Sequence, residues 1–239
     1  MRIGVYIDGF NLYYGLKDQA KATSSMGWKW LDVRKMAAIK LAQWGIDPTK
    51  VDFKVKYFSA IRNDFTNPSS ALDQGSYLKA LEETGVQVIL GYYVFRRYSG
   101  LLTDRSGRFP ENAADLTSQE IFLPSLGPEG QPALRGFFKG FEEKGSDVNL
   151  AAHLLSDAFS SDVEAAMVFS NDGDLAGALS IARTLVPVAL INPKGRNLTH
   201  ALRGSPDVGA GSHFWSNLSI GEAIRSQFDD VKTNKPELW

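Results

Sequence analysis

The chain has 239 residues, and its 44% hydrophobic and 22% charged content is ordinary for a globular protein that buries a core. It contains no cysteine, which excludes disulfides, thiolate zinc sites and cysteine nucleophiles. The formal net charge of −1 leaves the partner open, because a local basic stripe on a nearly neutral protein can still bind nucleic acid.

Apolar runs in the sequence are short. None approaches the roughly 20 residues that span a bilayer, and the run before Asp8 is too short for the apolar part of a signal peptide. We therefore expect a cytoplasmic protein that has no membrane partner. The sequence leaves open whether the chain forms a homo-oligomer.

Strand-like and helix-like patterns alternate along the chain. In the first part we predict strands over 3–7, 51–58 and 86–90, and helices over 10–20, 31–44 and 69–84. After residue 144 we predict helices over 147–159, 175–185 and 220–228, and strands over 165–169 and 187–191. This alternation predicts an α/β fold with a mainly parallel sheet flanked by helices.

One stretch breaks the alternation. Residues 92–144 are rich in Gly, Pro and Arg, and short apolar runs occur at 92–95, 121–123 and 136–141. We interpret this stretch as an irregular insertion with extra strands before the fourth main strand. The predicted organisation is a single domain over 1–228 and a polar tail over 229–239.

Acidic residues stand at three junctions between predicted elements. Asp8 follows the first strand, Asp147 opens a later helix, and Asp172 and Asp174 follow the strand over 165–169. The carboxyl ends of parallel strands meet at one edge of the sheet, so Asp8 and Asp172 should share that edge. Asp147 opens a helix, and helix N-termini of this kind often lie at the opposite edge, so its convergence with the others needs more than topology.

A structural alternative exists for these aspartates. Asp is a favoured helix N-cap, worth about 1 kcal/mol, so Asp147 or Asp174 could serve only as a cap. Asp8 and Asp172 are harder to explain in this way, because two carboxylates at adjacent strand ends repel each other unless a cation or a proton intervenes. A cluster of oxygen ligands without Cys or paired His favours Mg²⁺ or Mn²⁺.

The motifs "DGFN" at Asp8, "KGSD" at Asp147 and "SNDGD" at Asp172 occur in this order. Together they resemble the NYN domain family of PIN-like nucleases, and in particular its LabA-like bacterial group. The resemblance runs from residue 1 to about residue 193, and the insertion and the C-terminal part are poorly covered. It implies a Rossmann-like, PIN-type sheet with adjacent first and fourth strands, an acidic metal pocket and hydrolysis of single-stranded RNA.

The family motifs imply roles for the residues that match them in this chain. Asp8, Asp147, Asp172 and Asp174 become catalytic residues and ligands of Mg²⁺ or Mn²⁺. Substrate-binding roles are implied for Asn11, which would hold the Asp8 loop or touch a phosphate, for Ser170 and Asn171, which would shape the Asp172 loop, and for Lys144. His153 stands where many relatives carry a further aspartate, which leaves the number of metal ions open.

We also expect a groove that follows a single nucleic-acid strand. Basic residues (Arg96, Arg97, Lys139, Lys194, Arg196) and tyrosines (Tyr13, Tyr14, Tyr98) could line it, although scattered basic residues are usually ordinary surface. Two other classes stay open: a nucleic-acid-binding or scaffold module of the same fold, and a phosphohydrolase of small molecules.

Overall fold

The computed structural model describes residues 1–61, 69–103, 122–195, 198–229 and 235–236. The chain divides into two compact units, one formed by Met1–Tyr92 with Lys144–Trp239 and one formed by Tyr93–Glu143. Among the described residues, no helix is both long and apolar enough to cross a membrane.

The strands are β1 (Arg2–Asp8), β2 (Asp52–Ser59), β3 (Gln87–Leu90), β4 (Tyr92–Leu101), β5 (Phe122–Leu126), β6 (Pro132–Lys144), β7 (Ala165–Phe169), β8 (Val188–Asn192) and β9 (Phe214–Asn217). The α-helices are α1 (Gly9–Thr23), α2 (Val33–Gln43), α3 (Ser69–Glu83), α4 (Ser146–Phe159), α5 (Ala176–Leu185) and α6 (Ile220–Arg225). Short 3₁₀ turns cover Gly173–Leu175 and His200–Leu202.

Six strands form one parallel sheet in the order β3-β2-β1-β7-β8-β9. The strand order reverses between β1 and β7, which makes that boundary the topological switch point of a Rossmann-like fold. The predicted α/β fold is confirmed. The first and fourth main strands, β1 and β7, are neighbours, as the family resemblance implied.

Helices cover both faces of this sheet, which explains why its central strands are buried on both sides. On one face, residues such as Val5 and Ile7 pack with side chains of α1, α2, α3 and α6. On the other face, residues such as Tyr6 and Val168 pack with α4 and α5. Successive side chains of β1 point to opposite faces of the sheet and therefore contribute to two separate core layers.

The second unit contains an antiparallel pairing of β5 with β6, in a three-stranded sheet of order β4-β6-β5. The predicted run over 121–123 begins on a residue that lies outside the described part of the chain. Exposed aromatic residues, including Phe95 and Phe138, lie on these strands.

The start of α4 lies at the carboxyl edge of the sheet, and not at the opposite edge where helix N-termini of this kind often lie. Gly145, directly before α4, lies beside Gly91: a Cβ at Gly145 would stand 3.7 Å from the Gly91 Cα. The Gly91 N–H donates to the carbonyl of Ser59, the last residue of β2. A helix that precedes a parallel strand runs antiparallel to it, so α4 begins at the carboxyl edge, and Asp147 lies there.

A buried ion pair ties the C-terminal helix to α2. Lys40 Nζ donates to Glu222 Oε1 at 2.8 Å, and both side chains are almost inaccessible to solvent. Ser219 forms a capping box with Glu222 at the start of α6. The helix ends at Arg225, three residues before the predicted end, and β9 was not predicted from the sequence.

Candidate functional site at the switch point

The site lies where β1 and β7 end side by side. Ile7 is paired with Phe169 in the parallel register, so Asp8 and Ser170 leave their strands together. Asp8 is the N-cap of α1, and Asp172 is the N-cap of the turn Gly173–Leu175. The sequence motifs at Asp8 and Asp172 are therefore neighbours in space.

The Asp8 carboxylate is buried, with only 2% of the residue exposed. Its Oδ1 accepts a hydrogen bond from the Asn11 N–H at 2.9 Å. Its Oδ2 accepts one from Asn11 Nδ2 at 2.8 Å and one from Ser170 Oγ at 2.9 Å. Both oxygens act only as acceptors, which is the pattern of an ionised carboxylate.

Burial raises the pKa of Asp8 above its usual value. The hydrogen bonds from Asn11 and Ser170 oppose this shift because they stabilise the charged form, whereas the nearby charge of Asp172 adds to it. The hydrogen bonds from Asn11 and Ser170 are therefore what favours the charged form of this buried carboxyl group.

The direction of the Ser170 hydroxyl is fixed by its neighbours. Ser170 Oγ accepts a hydrogen bond from the Asp172 N–H at 3.0 Å, and a backbone N–H can only donate. The hydroxyl hydrogen therefore points to Asp8. Ser170 links the buried aspartate to the loop that carries the more accessible Asp172.

Asp172 is partly exposed to solvent. Its Oδ1 accepts the N–H of Asp174 at 3.0 Å, whereas its Oδ2 accepts no hydrogen bond from the part of the chain that the structure describes. Asp172 is therefore the carboxylate of the pair that offers a free oxygen to a ligand.

Hydrogen bonds to Asn171 hold the loop after β7 in place. The Asn171 N–H donates to Asn11 Oδ1 over a long 3.4 Å. Asn171 Oδ1 accepts the Thr199 N–H at 2.9 Å, and Thr199 Oγ1 donates to the Asn171 carbonyl at 3.0 Å. Sequence reasoning missed Thr199, whose only signal was its place in the polar loop after β8.

Gly9 is required because the start of α1 lies very close to the end of β2. A Cβ at this position would lie 2.7 Å from the Phe58 carbonyl oxygen and 2.8 Å from the Tyr57 ring. Only glycine allows α1 to begin so close to β2, and this contact sets the position of the Asp8 cap.

The two helical N-termini at the switch point are already capped by carboxylates. In dinucleotide-binding folds such an N-terminus binds a phosphate. Here Asp8 and Asp172 take that place at α1 and at the turn after β7. The site as it stands favours a ligand group that donates a proton or carries positive charge.

The other predicted site residues take different positions. Asp147 lies in the first turn of α4, and Lys144 ends β6 just before it. Asp174 is exposed, and its backbone N–H donates to Asp172. Among the described residues, no group of three or more His, Cys, Asp or Glu side chains is placed to hold a metal ion. The four-aspartate ligand set stays a prediction.

His153 belongs to a separate polar cluster between β1, β2 and α4. Its Nδ1 lies 3.4 Å from Lys56 Nζ. Asp157 Oδ2 accepts hydrogen bonds from Lys56 Nζ and from the Tyr6 hydroxyl, each at 2.6 Å. Burial, and next the contact with Asp157, raises the pKa of Tyr6 well above its usual range.

The residues of the expected groove belong to different parts of the molecule. Four of them (Arg96, Arg97, Tyr98, Lys139) lie in the second unit, where Arg97 stacks on the Phe137 ring at 4.3 Å. Tyr13 and Tyr14 are exposed on α1, and Arg196 lies outside the described residues.

No family model matches the chain. A curated protein from Pseudomonas putida, 6-hydroxy-3-succinoylpyridine 3-monooxygenase, is 25% identical over 264 residues, which cover 100% of this chain and 75% of that protein. The crystal structure of a protein of unknown function from Vibrio parahaemolyticus has a TM-score of 0.45 and 16% identity, over 91% of this chain and 93% of that one.

The prediction of a ribonuclease was wrong, because the curated relative that spans the whole chain is a monooxygenase, which is an oxidoreductase and not a nuclease. The same finding leaves the predicted RNA partner without support. Strand-end aspartates that cap helices at a switch point serve many chemistries on this fold, so the motifs alone could not identify the reaction.

Proposed function

We propose that the chain is an oxidoreductase of the monooxygenase class that acts on a hydroxylated nitrogen heteroaromatic ring at the switch point. The observation that carries the proposal is the match of the whole chain to 6-hydroxy-3-succinoylpyridine 3-monooxygenase. The acidic, proton-accepting character of the site supports it.

The name of that relative's substrate indicates what the reaction needs from the protein, which is a group that removes a proton. Ring positions 6 and 3 are para to each other, so loss of the proton from a 6-hydroxyl group raises the electron density at carbon 3. Carbon 3 is the position that the enzyme's name gives for oxygenation. An enzyme of this class gains from a group that accepts the hydroxyl proton in the transition state.

Asp172 is our candidate for that proton acceptor. Its Oδ2 is free of hydrogen bonds from the described residues, and the side chain is partly exposed at the sheet edge. Asp8 is buried and its oxygens are occupied, so it acts as a positioning residue. Through Ser170 it fixes the loop that carries Asp172.

The reaction needs two co-reactants, dioxygen and a reduced nicotinamide. One oxygen atom bonds to carbon 3, which carries the succinoyl group in that relative's substrate, and the bond from carbon 3 to the succinoyl carbon breaks. The other oxygen atom becomes water, which adds to the departing acyl group and makes it a carboxylic acid. The two electrons come from the nicotinamide as hydride, and one further proton completes the water. The proton held by Asp172 returns to the product's ring oxygen.

The proposal is tested by measuring oxygen uptake and nicotinamide oxidation by the purified chain. Two substrates are offered, 6-hydroxy-3-succinoylpyridine and 2-hydroxypyridine, each with and without free flavin. We expect substrate-dependent consumption of both co-reactants in at least one combination. If neither substrate raises consumption above the substrate-free rate under any condition, the proposal is wrong.

A bound Mg²⁺ or Mn²⁺ ion remains a separate proposal. In its favour, burial and, as a smaller cause, the charge of Asp172 raise the pKa of Asp8, so a cation between the two carboxylates would stabilise their charged forms. The occupied oxygens of Asp8 fit such an ion poorly. Thermal unfolding with increasing Mn²⁺ tests it: stabilisation of the wild type that Asp172→Asn abolishes supports a site here, and no stabilisation refutes it.

A further inference from the structure

A cavity lies between α5, the segment that follows β8, and strand β9. Its volume is about 330 Å³, within the usual range for small-ligand sites, and it shares no residue with the switch-point site. Residues that line it include Arg183, Leu198, Leu202, Arg203, His213 and Trp215.

Arg183 is the unusual residue of this cavity. It is 9% exposed, and burial lowers its pKa. Nη2 donates to the Leu202 carbonyl at 3.0 Å, whereas Nε is buried with no hydrogen-bond partner among the described residues. No described acidic side chain forms an ion pair with this guanidinium. A buried guanidinium that has no counter-ion among the described residues is stabilised by an anionic ligand.

Gly204 leaves the space in which the guanidinium sits. A Cβ at this position would lie 2.8 Å from Arg183 Nη1 and 2.9 Å from its Cζ. Nη1 itself makes no hydrogen bond to the described residues. The glycine therefore lets the backbone pass close to the guanidinium, at a place where any larger residue would collide with it.

The cavity's charge comes from its arginines. Arg203 is exposed at the cavity wall, and the described residues that line the cavity include no acidic side chain. His213 Nδ1 accepts the Val188 N–H at 3.0 Å, so its hydrogen is on Nε2, which donates to the Val208 carbonyl at 2.7 Å. The histidine is thus neutral in this arrangement, and the net charge of the lining is positive.

The remaining walls are apolar and aromatic. Leu198 and Leu202 are buried beneath the cavity, and the ring of Trp215 is 58% exposed beside it. Such walls favour a ligand with a flat or aliphatic body, and the arginines favour a carboxylate, which a guanidinium can bind through two parallel hydrogen bonds.

We propose that this cavity is a binding site for a small organic acid, with the carboxylate on Arg183 and Arg203 and the apolar body against Leu198 and Trp215. The site is independent of the switch point. It is independent of the proposed reaction as well, so a failure of one leaves the other standing.

The test is calorimetric titration of the full chain with benzoate and with benzamide, its neutral analogue. We expect benzoate to bind and benzamide to bind at least about tenfold more weakly, because only the anion forms charge-assisted hydrogen bonds. Arg203→Gln should weaken benzoate binding about tenfold. Because Arg203 is exposed, this variant keeps the test valid even if Arg183→Met fails to fold.

Two controls locate the binding. Arg225→Gln removes an exposed arginine of α6 and should leave benzoate binding unchanged. Asp172→Asn alters the switch point and should also leave it unchanged. No benzoate binding, equal binding of benzamide, or full affinity in Arg203→Gln would each overturn the proposal.

Discussion

Ser170 donates its hydroxyl hydrogen to the Asp8 carboxylate at 2.9 Å, across 162 positions of sequence. The contact exists because β1 and β7 are adjacent parallel strands that end together. It joins the two acidic motifs of the switch point into one hydrogen-bonded unit, in which Asp172 Oδ2 accepts no hydrogen bond from any described residue.

Removing the Ser170 hydroxyl should weaken the fold. Ser170→Ala deprives buried Asp8 of a donor and leaves the Asp172 N–H without its acceptor, a loss of about 1–3 kcal/mol in the free energy of unfolding. Urea denaturation measures it. Ser180→Ala, at an exposed position of α5, is the matched control and should show no loss. Equal stability of the two variants would contradict the role given to Ser170.

Asp172→Asn should abolish most turnover while the fold remains intact. Asparagine caps a helix about as well as aspartate, but it cannot accept the substrate proton, so we expect kcat to fall by about 100-fold or more. Asp18→Asn is the control, because Asp18 is exposed on α1 and lies outside the predicted site. Steady-state kinetics decides: similar losses in both variants would count against a specific role for Asp172.

The ion pair of Lys40 and Glu222 should make stability depend on pH in acid. Burial opposes ionisation of Glu222, but hydrogen bonds from Lys40, Ser219 and Gln43 outweigh it and lower its pKa to about 2. A group with a lowered folded-state pKa stabilises the protein above its unfolded pKa. That contribution is lost as the pH falls from about 4.5 to about 2, and it amounts to about 3 kcal/mol.

Glu222→Gln tests this dependence. At neutral pH it leaves Lys40 buried without its counter-charge and should cost about 3 kcal/mol. The difference from wild type should shrink as the pH falls towards 2. Asp229→Asn breaks only the exposed pair with Lys35 and should cost about 0.5 kcal/mol or less. A difference between wild type and Glu222→Gln that does not change with pH would refute the assignment.

Asp157 should be important for stability, since Lys56 and Tyr6 both donate to the same oxygen. Asp157→Asn leaves the lysine with a neutral partner in a half-buried cluster, and we expect a loss of about 3 kcal/mol in the free energy of unfolding. Asp18→Asn, at an exposed position of α1, is the control. Thermal and urea unfolding should show that Asp157→Asn is clearly less stable than Asp18→Asn. If Asp157→Asn were as stable as the wild type, the cluster would not contribute to stability.

The convergence of Asp8 with Asp172 could be predicted from the sequence, because both follow apolar strands of a parallel sheet. The place of Asp147 could not be read from the same rule until the direction of α4 was known. Thr199 and Arg183 escaped notice because a single threonine in a loop, or a single arginine in a helix, has no distinctive pattern. β9 was missed because four residues after a Gly-rich loop carry little periodicity.

The reaction was predicted wrongly for a different reason. Carboxylates at Asp8 and Asp172 can bind a cation, position a loop or accept a proton, and the residue types are the same in each case. In the proposed reaction, the difference between Asp8, which accepts three hydrogen bonds, and Asp172, whose Oδ2 accepts none from the described residues, is what assigns the reacting role to Asp172. That distinction depends on side-chain geometry, which the motifs do not contain.

Isotope labelling tests the central claim most directly. The purified chain is incubated with 6-hydroxy-3-succinoylpyridine, a reduced nicotinamide and ¹⁸O₂, with flavin supplied if the uptake assay requires it, and the product is analysed by mass spectrometry. We predict that one ¹⁸O atom enters the ring product in the wild type and that Asp172→Asn forms little of it. A product that carries oxygen only from water, or no oxygenated product at all, would contradict the assignment.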